Sequence, residues 1–412
     1  MNILPRCRLF LIPVIIGFCF SFNTMLASVQ EYIVTTAGEL QRIFENPVDS
    51  VSVLLLAGEY HLSPIAVIDS TCGNCEDPNI KTNTTAGLVL TGKWIKITGP
   101  PDRSAVIYTN AGYGLFIHRT DKAIIENLVI TGGDRTYNGN ATDAAVVVKE
   151  SEAYLIGNKI RDNIGDPEIV SNIIVGIAGI AGRENARLFI KDNEIIRNSW
   201  DGIALYRGAT AVIERNYIDG VDKATGQIIG GGRGVGIGVT WDATATVRNN
   251  LVTKYWKGIG VFVDAEAEIH YNIVEDIVTW GIALWSAGEG TAGAVVDNNV
   301  IYKTGACGAS VLLSDNSSGG RFRNNIIVES GQNPRYDDPE YYCAQTALAI
   351  GSVPDIFSIE NNPFYNNRRF PEDLPDYDLT KKEFTREMIS KCTMLHFHNF
   401  SNRSAFMKSF CF

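Results

Sequence analysis

From Val51 onward, apolar side chains come in short alternating runs broken by Gly, Asn and Asp, and one phrase keeps returning: an apolar residue, two of any kind, an asparagine, then another apolar pair. It reads Ile125-Glu126-Asn127-Leu128, Ile156-Gly157-Asn158-Lys159-Ile160, Lys191-Asp192-Asn193-Glu194-Ile195 and Ile213-Glu214-Arg215-Asn216-Tyr217-Ile218. Further copies end at Asn250, Asn272, Asn299 and Asn325, with a weaker one at Asn362. The copies are 22 to 37 residues apart, and a period of that size marks stacked structural units.

Each unit has the same internal order. A Gly-, Ile- and Val-rich strand such as Gly202-Ile203-Ala204-Leu205 is followed by a short turn, Arg207-Gly208-Ala209, and a second alternating strand leading to the Asn. A third short strand, Tyr217-Ile218-Asp219, precedes a loop of variable length. Three short strands and no helix per unit predict one coil of an all-β, right-handed parallel β-helix, with the alternating β-branched residues facing a central core. Asn tolerates left-handed backbone and bonds backbone groups at a bend. Repeated in phase, it predicts an amide ladder from coil to coil.

Open ends of such a stack are unpaired sheet edges and need covers. Thr35-Thr36 before AGELQRIFE (residues 37–45), with Leu40, Ile43 and Phe44 on one face, predicts a short N-terminal capping helix. The expected organisation is an export signal over 1–27, an N-terminal cap over 28–50, the β-helix over 51–367, and a tail over 368–412 that caps the last coil or is disordered. Arg6 and Arg8 precede an apolar run from Leu9 to Phe22, and small residues Ala27 and Ser28 follow, as a cleavable signal requires. No later stretch is long enough to span a bilayer. The chain is therefore expected outside the cytoplasm: secreted, periplasmic or at the cell surface.

The run of coils with its Asn turns resembles the pectate-lyase-like right-handed β-helix proteins. That resemblance covers most of the chain and implies fold more than activity, because the same fold hosts lyases, hydrolases, epimerases, esterases and non-catalytic proteins. It also implies a substrate groove along the first strand of each coil. The residues just before the strand glycine are Asp201, Arg233, Lys257, Trp280 and Cys307, which should stack as a row about 4.8 Å apart. Arg233 is displaced by two residues when counted from the Asn turn, because Gly230-Gly231-Gly232-Arg233-Gly234 carries an insertion. Neighbouring cations need an anion. By the resemblance, Lys257 or Arg233 would be the base of a lyase acting beside a uronate, and the other would hold its carboxylate. A structural charge ladder on a solvated face is the bland alternative.

Aromatic residues gather in the same stretch: Trp200, Tyr206, Trp241, Tyr255, Trp256, Trp280 and Trp285 include five of the six tryptophans. Flat rings suit sugar stacking, although some must simply pack. With Arg207, all of these but Tyr255 are candidate substrate-binding residues. Asp242 and Asp264 fall eight residues before their Asn, so they should stack as a pair. They would suit a retaining glycosidase or a calcium site, or be ordinary turn residues. Asp201 with Asp264 is a possible inverting pair.

The net charge of −10 argues against a nucleic-acid or membrane-surface partner. No histidine spacing suggests a metal set, and calcium is the only cofactor considered. Six cysteines follow the signal. Cys72-Gly73-Asn74-Cys75 reads as a loop staple in preference to redox work or half a zinc site. Cys307 and Cys343 precede neighbouring first strands and are placed to form a disulfide. The expected function is an acidic-polysaccharide lyase. A glycoside hydrolase using paired Asp and a non-catalytic carbohydrate-binding β-helix are the alternatives.

Overall fold

The computed structural model describes residues 29–137, 139–140, 142–173, 175–221, 232–331 and 345–368. The expected export signal, Cys343, the Gly230-Gly231 part of the insertion and the tail beyond Arg368 lie outside the described residues. The rest is a right-handed parallel β-helix, as the repeat predicts.

Three consecutive coils show the unit: Ile203–Leu205, Thr210–Glu214 and Tyr217–Asp219; Val235–Thr240, Thr244–Arg248 and Leu251–Thr253; Lys257–Phe262, Glu266–His270 and Ile273–Glu275. Each strand pairs in parallel with its counterpart above and below. Ile203, Ile237, Ile259 and Ile282 align in the first column. Ile213, Val247, Ile269 and Val296 align in the second, and Ile218, Val252, Val274 and Ile301 in the third. All twelve are fully buried. Burying each contributes about 1.5–3 kcal/mol, so the core is a stack of aliphatic layers.

The amide ladder runs from Asn158 through Asn193, Asn216, Asn250, Asn272, Asn299 and Asn325 to Asn362. In the middle of it, the Asn216 backbone N–H and Nδ2 both donate to Asn250 Oδ1 at 2.9 Å. Asn250 passes the same pair of bonds to Asn272 Oδ1 at 2.9 and 3.0 Å. The Asn250 amide also donates back to Ile213 O at 2.9 Å, so one side chain ties three coils.

Two expectations about this bend are corrected. The ladder residues are not the left-handed ones; the residue before each is, including Arg215 (φ 55), Asn249 (φ 57) and Tyr271 (φ 57). The first copy is also one step out of phase. Leu128 occupies the ladder level and donates its N–H to Asn158 Oδ1 at 3.1 Å, while Asn127 is the left-handed residue at φ 55.

The capping helix spans Ala37–Ile43. The Thr36 hydroxyl accepts from Glu39 N at 3.2 Å and the Glu39 carboxylate accepts from Thr36 N at 3.1 Å, a reciprocal capping box. Leu40 and Phe44 are buried against the first coil. The sheet begins earlier than expected: Gln30–Val34 precedes the helix and pairs in parallel with residues 51–55. A second helix, Pro167–Ile173, sits in an inter-coil loop where none was expected.

Over the first coils the outer face of the first column is covered. The strand Ile65–Asp69 runs antiparallel to residues 82–86, and Val67 packs with a buried outer cluster that includes Tyr113, Phe116, Val147 and Ala181. Cys72 and Cys75 form the expected staple in the following loop. Cys307 is disulfide-bonded, with Cys343 outside the described residues.

Two outcomes are expected. Asn250→Ala leaves buried donors and acceptors on three coils without partners and should cost about 2–4 kcal/mol, read as a lowered midpoint in urea unfolding. Peptide mapping without reduction should recover Cys307 linked to Cys343; a free Cys307 thiol would refute that pairing.

Candidate functional site

Strand register decides which side chains meet. Ile203 aligns with Ile237, so Asp201, two residues earlier, is level with Val235. Val235 aligns with Lys257, Lys257 with Trp280 and Trp280 with Cys307. The expected row is therefore Asp201, Val235, Lys257, Trp280 and Cys307. Arg233 is not in it, because the insertion places it two residues before the strand position.

Asp201, Arg233 and Lys257 nonetheless share one cleft of 460 Å³, together with Trp200, Tyr206, Trp241 and Trp256. That size suits a small or oligomeric ligand. The floor is almost bare. Ala204, Gly238 and Gly260 align on successive coils, and Ala204 and Gly238 line the cleft. A Cβ on Gly238 would meet nothing nearer than 3.7 Å. Gly234 lines it too, and Asn74, Val235, Thr240 and Phe262, which complete the lining, were not foreseen. Asn74 arrives from the distant stapled loop, which no repeat spacing could indicate. Thr240 and Phe262 are one another's register partners at the strand end, a signal that was available.

Asp201 is 5 % exposed. The Val235 N–H donates to its Oδ1 at 2.6 Å and the Tyr206 hydroxyl donates to Oδ2 at 3.5 Å. Gly234 makes the room, since a Cβ there would stand 2.0 Å from Asp201 Oδ1. Burial pushes the Asp201 carboxyl up to about 6, against the opposing pull of the Val235 N–H, Lys257 and Tyr206. Lys257 is half-buried, and desolvation lowers it from the usual lysine range despite Asp201. Its ammonium lies 5.4 Å from the centre of the Trp280 ring and 5.9 Å from that of Trp285. Among the described residues no carboxylate is within ion-pairing reach of it. Arg233 is 8 % exposed, lies over the Trp200 ring at 5.7 Å, and is also lowered by burial.

The remaining candidates lie elsewhere. Trp280 and Trp285 adjoin the cleft, packed edge-to-face at 4.8 Å, with Trp285 Nε1 donating to Ser310 Oγ at 3.0 Å. Arg207 stacks 4.1 Å from Trp241 and donates to the carbonyls of Cys75 and Glu76, so its guanidinium is committed to the stapled loop. Asp242 and Asp264 are level on neighbouring coils, as their spacing requires. They sit at the turn after the first strand, where Asp242 is exposed and Asp264 accepts from Thr291 N at 3.0 Å. Neither lines the cleft, where Asp201 is the one carboxylate among the described residues. Among the described residues no group of three or more His, Cys, Asp or Glu side chains is placed to hold a metal ion. No described helix is long and apolar enough to cross a membrane.

A family model for the right handed beta helix region matches residues 103–254. No curated protein matches the chain. Among solved structures, an alginate lyase from Paenibacillus sp. superposes with a TM-score of 0.50 at 14 % identity, covering 81 % of this chain and 99 % of that one. A pectate lyase superposes with a TM-score of 0.41 at 12 % identity, covering 81 % and 80 %. The surface adhesin PfbA of Streptococcus pneumoniae gives 0.39 at 13 %, covering 78 % and 69 %. At 14 % identity the likeness to the alginate lyase is one of fold, and the activity has to be argued from the cleft.

The Asp201 carboxyl yields a prediction with a definite sign. Its folded value, about 6, lies above the ordinary 3.8, so the folded state binds more protons in between and stability falls as pH rises through that window. The full difference corresponds to about 3 kcal/mol. Asp201→Asn should abolish this dependence and be more stable than the parent at pH 7, measured by urea unfolding across pH 4–8 (~one-unit steps). An unchanged pH dependence would show that Asp201 ionises normally.

Proposed function

We propose that this chain, a right-handed parallel β-helix protein by fold, is an exported enzyme that cleaves an acidic polysaccharide by β-elimination. The observation that carries this reading is the chemistry of the cleft lining: among the described residues, the buried Arg233 and the half-buried Lys257 stand with one carboxylate, Asp201. Glycosidases work with two carboxylates flanking the scissile bond. Asp242 and Asp264 lie outside the cleft, so neither hydrolase pairing has the required partner there. A guanidinium and a lysine lining a cleft in a chain of net charge −10 suit an anionic ligand.

The chemistry follows from these groups. Removing the proton next to a uronate carboxylate is easier once that carboxylate is neutralised, a task suited to the planar fork of Arg233. Lys257 is the base. Desolvation lowers it from the usual lysine range, the direction in which a general base has to be shifted. It takes the C5 proton, the C–H electrons form the C4–C5 double bond, the C4–O4 bond breaks, and the ammonium returns a proton to the leaving oxygen. Trp200, Trp241 and Trp256 offer faces for the sugar rings. Asp201 stays beside the base and, when ionised, helps orient the lysine.

The test is an ultraviolet assay for unsaturated uronide ends over a panel of uronate polymers, run beside a reducing-end assay. Lys257→Ala should lose roughly 10²–10⁴-fold in rate with oligosaccharide affinity nearly intact. Reducing ends without unsaturation would replace the lyase with a hydrolase. Binding without either signal would leave a carbohydrate-binding protein.

A further inference from the structure

The first-strand face is a continuous surface in the fold's plan, yet here it is open only from the Asp201 coil onward. The segment closing it is anchored by charges buried at considerable cost. Asp69 is 2 % exposed. It is met by Lys149 Nζ at 2.5 Å, by the Arg183 guanidinium and by the Tyr113 hydroxyl, which donates at 3.1 Å. These three partners rise from three successive coils. Lys149 also donates to Thr71 Oγ1 at 2.7 Å. Removing one partner of such a buried set costs several kcal/mol, so the loop is a fixed wall.

The wall then advances toward the cleft. Gly73 packs so close to Arg183 that a Cβ would stand 2.4 Å from its Cδ. The Cys72–Cys75 bridge closes the turn, Arg207 holds the Cys75 and Glu76 carbonyls, and Asn74 lines the cleft itself. From the Asp201 coil to the Lys257 coil is two steps, about 10 Å. A polymer lying along the coils past Lys257 meets the stapled loop within that distance.

We infer that the cleft takes the end of an acidic glycan chain and releases one short fragment per cut, the loop of residues 69–76 being the stop that sets the fragment length. This rests on the lyase reading above and adds to it the class of substrate: chain ends, not chain interiors. The chemistry is the same elimination, so no further reactant is involved. The wall residues are positioning residues and take no part in bond breaking.

The experiment uses the full chain and size-resolved products from a uronate polymer at early times, with oligouronates capped at either end by 4-O-methylation or by reductive amination. One smallest product should dominate from the start, and one of the two caps should abolish turnover and binding. Opening the wall with Arg207→Ala, or with Cys72→Ser and Cys75→Ser together, should raise the share of internal cuts roughly tenfold, the factor that about 1.4 kcal/mol of lost discrimination represents. The capped substrates need no variant, so misfolding of the cysteine pair would not blunt the test. Random internal cuts with both caps tolerated would overturn the inference and leave the lyase reading standing. A protein that neither cuts nor binds any uronate oligomer would overturn that reading, and the inference with it.

Discussion

The buried asparagine stack is the constraint on which the rest of this molecule depends. A parallel coil has no hairpin to fix its register, and slipping by one residue would turn every core side chain outward. The ladder removes that freedom. Each amide accepts from the coil below and donates both to the coil above and to a backbone carbonyl, as Asn250 does with Asn216, Asn272 and Ile213. It also supports backbone that would otherwise be costly. Arg215 and Tyr271 adopt left-handed φ, a conformation that disfavours side chains of that size, because the hydrogen bonds beside them over-determine the bend. Once the bend is fixed, a strand position becomes a height along the axis, and Asp201, Val235 and Lys257 occupy three successive heights.

Two groups of buried charge sit on this scaffold, and the difference between them separates structure from chemistry. In the loop anchor, Asp69 faces Lys149 and Arg183 directly, with Tyr113 donating as well. Opposite charges in the interior, well hydrogen-bonded, form a paired assembly that holds a segment in place. In the cleft, Lys257 has tryptophan rings for neighbours and Asp201 at a distance, and both groups are shifted toward their neutral forms. Poorly compensated, partly desolvated ionisable groups in a concave site are more frequent at functional sites than elsewhere, and the proposed function rests on that contrast.

The repeat was legible because its signal is redundant: apolar alternation, glycine at the strand start and Asn at the bend all point to the same coil. Asp201 and Lys257 were readable as neighbours in a row because the coils between them preserve spacing from bend to strand. Arg233 was not, since an insertion breaks that count, and Val235 holds its expected height. Asp242 and Asp264 were correctly placed level with one another, yet level is not direction. Both lie at the turn, outside the cleft lining, and turn backbone cannot be resolved from periodicity. Arg207 and Asn74 mark the limit. Their meeting at the stapled loop joins segments far apart in sequence, through carbonyl hydrogen bonds that any residue at positions 75 and 76 could offer. The strand Gln30–Val34 was missed because it lies before the capping helix, on the far side of what reads as the start of the fold.

The presence of two cations has a physical consequence for the site. A lysine can act as a base only while neutral, and an anionic ligand placed beside it stabilises the charged form and raises its pKa. A cleft with Lys257 alone would be protonated by its own substrate. Arg233 changes that balance, since a guanidinium stays charged across the whole working range and can take up the ligand's negative charge. Burial lowers both groups, and the lysine starts from the lower ordinary value of the two. Asp201 pulls the other way, toward ammonium, and its own burial weakens that pull below about pH 6 by protonating it. Under the proposed elimination the three groups divide the work by their intrinsic acidities: the one that cannot lose its proton binds the anion, and the one that can acts as the base.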